Sequence, residues 1–215
     1  MQKMTDGNDG GTKIKICGLR RREDILAVNE AKPDYCGFII EFSSSFRSVT
    51  ADEVRELVKE LDPEIRPVGV FVNAPMELVR TLLDDGTLAL AQLHGQEDES
   101  YIRELKTYTD KLIIKAFSIK TAEDIEKALQ SPADYILLDQ GGGGTGKTFD
   151  WSLIPGIQRP FFLAGGIGAS NLGQAIREIH PYAVDLSSSV ETEKRKDPMK
   201  IRQVVDIVRE IKIIN

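Results

Sequence analysis

YILLDQGGGGTGKTFDW, residues 135 to 151, decides how the rest of the chain is read. Ile136, Leu137 and Leu138 make an apolar run too short for a helix and closed by glycines, which predicts a buried parallel strand ending at Asp139. The string from Gly141 to Thr148 satisfies G-x-x-x-x-G-K-T, whose backbone N–H groups and lysine cradle nucleotide phosphates when a long helix opens at the lysine. Here Lys147 is followed by FDWSLIPG, and Pro155 and Gly156 leave no room for that helix or its N-terminal dipole. Nucleotide binding is therefore set aside. Two readings stay open: a glycine loop without chemistry, or a catalytic Asp139 beside glycines that let backbone approach a ligand closely.

Working outward from that strand, short apolar runs alternate with stretches of helical period. KIKIC (13 to 17), YCGFII (35 to 40), RPVGVFV (66 to 72), LALAQL (88 to 93), KLIIKAF (111 to 117), YILL (135 to 138), PFFLAG (160 to 165) and AVDLS (183 to 187) are eight candidate strands. Val54, Leu57, Val58 and Leu61 fall on one helical face, as do Ile201, Val204, Val205, Val208 and Ile211. Leu78, Leu82 and Leu83, then Ile125, Ala128 and Leu129, give weaker stripes, and the segment after the sixth strand holds at most one or two turns. The expectation is an α/β chain forming a single (β/α)8 barrel, the TIM-barrel architecture, over residues 13 to 215, with a degenerate sixth helix and a disordered lead-in over 1 to 12. An open doubly wound sheet is the alternative. The barrel is favoured because Cys17, Arg47, Asn73, His94, Asp139, Gly165 and Ser187 all fall at or just past the carboxyl end of a strand, and in a barrel those ends share one face.

Composition bounds the function. With 215 residues, 41% hydrophobic and 29% charged, the chain can bury a substantial core. A net charge of −6 argues against nucleic-acid binding, so an anionic ligand must be held by local groups. Two cysteines in apolar runs suit a reducing compartment, and the cytoplasm is expected. No apolar run approaches the roughly 20 residues of a membrane span, and MQKMTDGNDGGT lacks the apolar centre of a signal peptide.

Several groups carry chemistry. Cys17 ends the first strand, ahead of Gly18, where a thiol is either an inert small hydrophobe or a reactive group; Cys36, inside YCGFII, reads as core. LAGGIGASN (163 to 171) places Gly165 and Gly166 after strand seven, ahead of a helix start capped by Ser170 or Asn171. DLSSSVE (185 to 191) repeats the idea after strand eight with Ser187 and Ser188. In (β/α)8 enzymes these two loops frequently hold a phosphate; plain caps and turns are the alternative. Arg47, in SSSFRSVT, is either a solvated charge or a forked donor for a carboxylate. His94 closes strand four, with Glu97 read as the cap of the next helix, and is assigned no catalytic role.

These motifs, taken in order, resemble the phosphoribosylanthranilate isomerase family of tryptophan biosynthesis. The match runs from Lys13 to about Ile211 through KICGL, GFII with a serine-rich loop to Arg47, VGVFVN, QLHGQE, IKAF, LLDQ with GGTGKTFDW, LAGGI with Asn171, and VDLSSSVE with KDPMKI. The resemblance implies a (β/α)8 barrel without cofactor or metal, Cys17 as general base, Asp139 as general acid, Arg47 on the anthranilate carboxylate and Asp185 in the active site. It also implies a small phosphosugar substrate, with no nucleic acid, membrane or obligate protein partner. Phe46 stands where the family commonly has proline, Ser189 where it has glycine, and ETEKRKD replaces a glycine-bearing stretch. The implied reaction is an Amadori rearrangement. Protonating the ring oxygen of the aminoaldose opens the furanose, and removing the C2 proton gives an enolamine that tautomerises to the aminoketose; an acid and a base suffice. A related ribose-phosphate isomerase or synthase would use aspartates at strands one and six, and Cys17 argues against it. A non-catalytic phosphosugar-binding barrel is disfavoured because both catalytic candidates are present.

Overall fold

The computed structural model describes residues 11–139, 151–154 and 156–211. Eight parallel strands close into a ring: β1 (Lys13–Cys17), β2 (Tyr35–Ile40), β3 (Arg66–Phe71), β4 (Leu90–Leu93), β5 (Leu112–Ser118), β6 (Tyr135–Asp139), β7 (Phe161–Leu163) and β8 (Ala183–Leu186). Closure is made by β1, which pairs with β2 on one side and with β8 on the other. The open-sheet alternative is thereby excluded.

Side-chain parity builds two cores from one set of strands. Tyr35, Val68, Leu90, Ile114, Leu137, Phe162 and Ala183 meet inside the barrel, while their neighbours Cys36, Ala91, Ile113, Ile136, Leu138, Leu163 and Val184 pack outward against the helices. Because both faces are buried, the strands read as continuous apolar runs rather than alternating ones. At the amino-terminal end, Tyr35, Tyr135, Phe162 and Tyr182 close the interior, with ring centroids 4.9 to 5.7 Å apart and the Tyr35 and Tyr182 hydroxyls 2.7 Å apart.

Seven α-helices cover the described ring: α1 (Arg22–Ala31), α2 (Ala51–Lys59), α3 (Met76–Asp84), α4 (Glu99–Tyr108), α5 (Ala122–Gln130), α6 (Leu172–Ile179) and α7 (Pro198–Glu210). Local chemistry starts them where they start. The Thr50 hydroxyl accepts from Glu53 N–H while Glu53 reaches back to Thr50 N–H; Asp197 accepts from Met199 and Lys200 N–H, with Pro198 in the first helical position. Among the described residues, only a 3-10 turn, Trp151–Leu153, lies between β6 and β7, in keeping with a degenerate sixth helix. The glycine string from Gly141 to Thr148, with Lys147, lies outside the described residues, as do residues 1 to 10 of the expected lead-in. Thr12 is buried, and its hydroxyl donates to the Pro181 carbonyl at 3.1 Å.

Strand four is shorter than expected, because Leu88 N–H bonds back to Leu82 in α3 and the ladder begins at Leu90. Glu97 does not cap α4. Asp98 does, accepting from Tyr101 N–H at 2.8 Å, while the buried Glu97 carboxylate takes Asn73 N–H, Gly95 N–H and the Lys115 ammonium. A carboxylate ringed by three donors is a loop brace tying the ends of β3 and β4 to Lys115 in the middle of β5.

Candidate active site

The carboxyl ends of the strands surround a cavity of ≈ 530 Å³. Parity selects its walls: Cys17 from β1, Ile39 from β2, Val70 from β3, Gln92 and His94 from β4 and just beyond, Asp139 from β6 and Asp185 from β8 all point inward. Of the seven strand-end residues singled out in the sequence, six line this cavity. Asn73 does not. It takes a left-handed backbone (φ 53°), and its side chain accepts from Gln96 N–H at 2.6 Å, bracing the loop after β4.

Beneath the thiol lies a group that the sequence reading passed over. Lys15, two residues before Cys17 on the same inward face, is fully buried, and its ammonium donates to Asp185 Oδ2 at 2.8 Å. Gly37 on the neighbouring strand makes the room: a Cβ there would stand 2.8 Å from Cys17 Sγ and 3.1 Å from Lys15 Nζ. Burial alone would lower the Lys15 pKa, but the charges of Asp185 and Cys17 more than offset it, so the group is held above the usual lysine range and stays charged. Burial pushes the Cys17 thiol up; Lys15 pulls it back and Asp185 adds to the rise. The result is a thiol that is a strong base once ionised, beside a cation that favours its ionisation. Cys36, buried in the outer core, is likewise pushed up by burial, in line with its reading as core. Asp185 Oδ1 is buried at the cavity wall with no hydrogen-bond partner among the described residues.

Across the mouth, His94 lines the cavity as its strand-end position led one to expect. Its Nε2 stands 3.8 Å from Asp139 Oδ2, and its Nδ1 accepts from the Gln92 amide at 2.9 Å, which puts the ring proton on Nε2, facing the carboxylate. Burial lowers its pKa against the pull of Asp139, and Lys15 lowers it further, so the imidazole is neutral near pH 7. Gln92 is 1% exposed, and its Oε1 has no partner among the described residues. The signal for Lys15 and Gln92 was available as parity: each is a polar residue two positions before a strand-end group.

Gly165 and Gly166 line the cavity in left-handed conformations (φ 84° and 66°), as do Ser187 and Ser188 without them, the latter opening the 3-10 turn Ser188–Val190. Asn171 stands at the N-cap position of α6, but its side chain does not cap the helix; it accepts from Gly168 N–H and donates to the Gly166 carbonyl, bracing the loop. Ser189 is not among the residues with positive φ, so serine in place of glycine carries no strain there. Arg47 lines the cavity too, with its side chain bonded to Glu191.

Fold and cavity together define a (β/α)8-barrel enzyme with its active site at the carboxyl ends of the strands. The family model described as N-(5'phosphoribosyl)anthranilate (PRA) isomerase matches residues 14–207, and the chain belongs to that family. N-(5'-phosphoribosyl)anthranilate isomerases of Endomicrobium trichonymphae and Thermoanaerobacter sp. are 44% and 43% identical, each match covering 93% of this chain and 99% of the relative. The crystal structure of phosphoribosyl anthranilate isomerase from Thermotoga maritima superposes with a TM-score of 0.84 at 35% identity, over 93% of this chain and 100% of that one. A further isomerase structure, solved in complex with reduced 1-(o-carboxyphenylamino)-1-deoxyribulose 5-phosphate, gives 0.81 at 33% identity over 93% and 100% of the two chains. The chain is thus an isomerase of tryptophan biosynthesis. Among the described residues, no helix is long and apolar enough to cross a membrane.

Proposed function

We propose that this isomerase works by general acid–base catalysis, with Cys17 as the base, Asp139 as the acid, Arg47 on the anthranilate carboxylate and the loops after β7 and β8 on the phosphate. The observation that carries the reading is the pairing of Cys17 with the buried Lys15 ammonium on one wall of the cavity that Asp139 lines from another. Asp139 gives its proton to the furanose oxygen, the C1–O bond breaks, and the anilino nitrogen takes the positive charge as an iminium. The Cys17 thiolate removes the C2 proton, and the C2–H electrons move into the C1–C2 bond to give an enolamine. Tautomerisation at C1 then delivers the aminoketose. Neutral His94 turns its Nε2, 3.8 Å from Asp139 Oδ2, toward the carboxylate left behind, where the ring dipole favours the charge. The Gly165, Gly166, Ser187 and Ser188 backbone holds the phosphate and fixes the sugar between acid and base, so remote binding energy is used for orientation. Asp185 keeps Lys15 in place and offers its unpartnered Oδ1 to a substrate hydroxyl. The compartment proposed is the cytoplasm.

The test follows the loss of anthranilate-derivative fluorescence on freshly made substrate. Cys17→Ser and Asp139→Asn should each lower kcat by about 10² to 10⁴ with KM roughly kept, since acid–base groups act on the transition state and binding groups are untouched. Near-native turnover of Cys17→Ser would make the thiol a packing residue and move the base role to another group, Asp185 first.

A further inference from the structure

Arg47 does not stand free at the mouth of the cavity. Its Nε and Nη2 donate side-on to the two oxygens of Glu191, each at 2.7 Å, and both side chains are largely buried. Glu191 is itself fixed. Lys196, whose side chain is 1% exposed, donates to Glu191 Oε1 at 2.8 Å and to the Ser187 carbonyl at 2.9 Å, and Lys200 donates to the Glu191 carbonyl. Glu191 and Lys196 are cross-strand partners in a two-stranded hairpin, Glu191–Thr192 with Arg195–Lys196, that follows β8. Two more contacts hold the arginine. The Phe46 ring lies 4.1 Å from its guanidinium carbon, and its shaft crosses Gly18, where a Cβ would stand 2.5 Å from Arg47 Cδ.

A guanidinium has five donors in a planar fork, and a side-on carboxylate uses two of them. Among the described residues, what remains free is the outer end, Nη1 and the second proton of Nη2. Two cations, Arg47 and Lys196, meet the one Glu191 carboxylate and leave that trio one positive charge in excess. Burial would raise the Glu191 carboxyl, but Arg47 and Lys196 outweigh that and hold its pKa below the ordinary value, so it stays ionised at neutral pH.

We propose that Glu191 is a positioning residue for carboxylate recognition: it turns the Arg47 fork so that its outer end receives the aryl carboxylate of the substrate, while Lys196 cancels its charge. The inference rests on the reading of Arg47 as the carboxylate clamp. It assigns specificity to the hairpin, a segment remote in sequence from Arg47, and gives Phe46 a role as the lid over the guanidinium face.

The test measures binding of two stable ligands by calorimetry, reduced 1-(o-carboxyphenylamino)-1-deoxyribulose 5-phosphate and its phenylamino counterpart lacking the carboxylate. The ratio of their Kd values reports the carboxylate contact alone. Glu191→Gln should shrink the wild-type ratio by about tenfold, with the carboxylate-free ligand bound as in wild type, and should raise KM with kcat within about twofold. Glu191→Asp keeps the charge but is one methylene too short to span to Arg47, and should shrink the ratio as well, which keeps the test open if the glutamine variant fails to fold. Arg47→Ala is the reference. If it abolishes the preference for the carboxylate while both Glu191 variants keep it, the positioning role is overturned and the clamp reading stands. If Arg47→Ala also keeps the preference, the clamp reading itself falls. Equal weakening of both ligands in the Glu191 variants, or tighter binding of the carboxylate ligand, would overturn the proposal, the first by making Glu191 a hairpin anchor and the second by making it a competitor for Arg47.

Discussion

Lys15 is the residue whose removal should be felt most directly at the thiol. Only thiolate reacts with iodoacetamide, so the alkylation rate of Cys17, followed by mass spectrometry, rises with pH through its pKa. Burial sets that midpoint above the ordinary thiol value in the wild type. Lys15→Met removes the ammonium that favours the thiolate, so the midpoint should move to higher pH and the rate near pH 8 should fall, by about tenfold for every tenfold drop in the thiolate fraction. An unchanged profile would show that Lys15 serves only as a filler beneath the site. Cys17, Arg47 and Asp139 were legible as cavity residues because each is a polar or reactive group at the end of an apolar run or in the loop that follows it. The ion pairs behind them were not, because their partners lie far apart in the chain: Lys15 and Asp185 are separated by 170 residues, Arg47 and Glu191 by 144. No local pattern encodes a contact that exists only once the barrel has closed.

Among the elements, the hairpin after β8 has the least comfortable backbone. Glu193 and Lys194 form its two-residue turn with φ of 51° and 60°, the left-handed region that such turns reserve for Asn-Gly. Side chains other than glycine, asparagine or aspartate adopt it at a cost of roughly 1 kcal/mol or more. Glu193→Asn with Lys194→Gly should therefore stabilise the protein by about 1 kcal/mol, a rise in Tm of roughly 2 to 4 °C for a chain of this size, with kcat unchanged. A lower Tm would mean that Lys194, 5.5 Å over the Phe46 ring, matters more than the turn. The strands themselves were legible to within two residues, since apolar runs buried on both faces have no other home. Helix α6 was marked only by its start, and α1 and α4 have too few apolar positions in register to declare themselves. Their single buried stripes, Ile25 with Val28 and Ile102 with Leu105, mean something only against the sheet.

For the whole molecule, stability should track occupancy of the mouth. A ligand bound at one hundred times its Kd adds about 2.7 kcal/mol, so the reduced aminoketose phosphate should raise Tm clearly and inorganic phosphate should do so weakly. Ser188→Asp places a carboxylate in the loop proposed to hold the phosphate and should remove the phosphate effect while leaving the unliganded Tm nearly unchanged. Should phosphate protect both forms equally, the anion is held elsewhere. The aromatic cluster of Tyr35, Tyr135, Phe162 and Tyr182 bears on how the reaction is timed. It makes the interior a cul-de-sac: whatever enters by the mouth must leave by it. Reactant and product then share one doorway, so added aminoketose should raise the apparent KM at unchanged kcat, and a fall in kcat instead would mean that product also sits elsewhere.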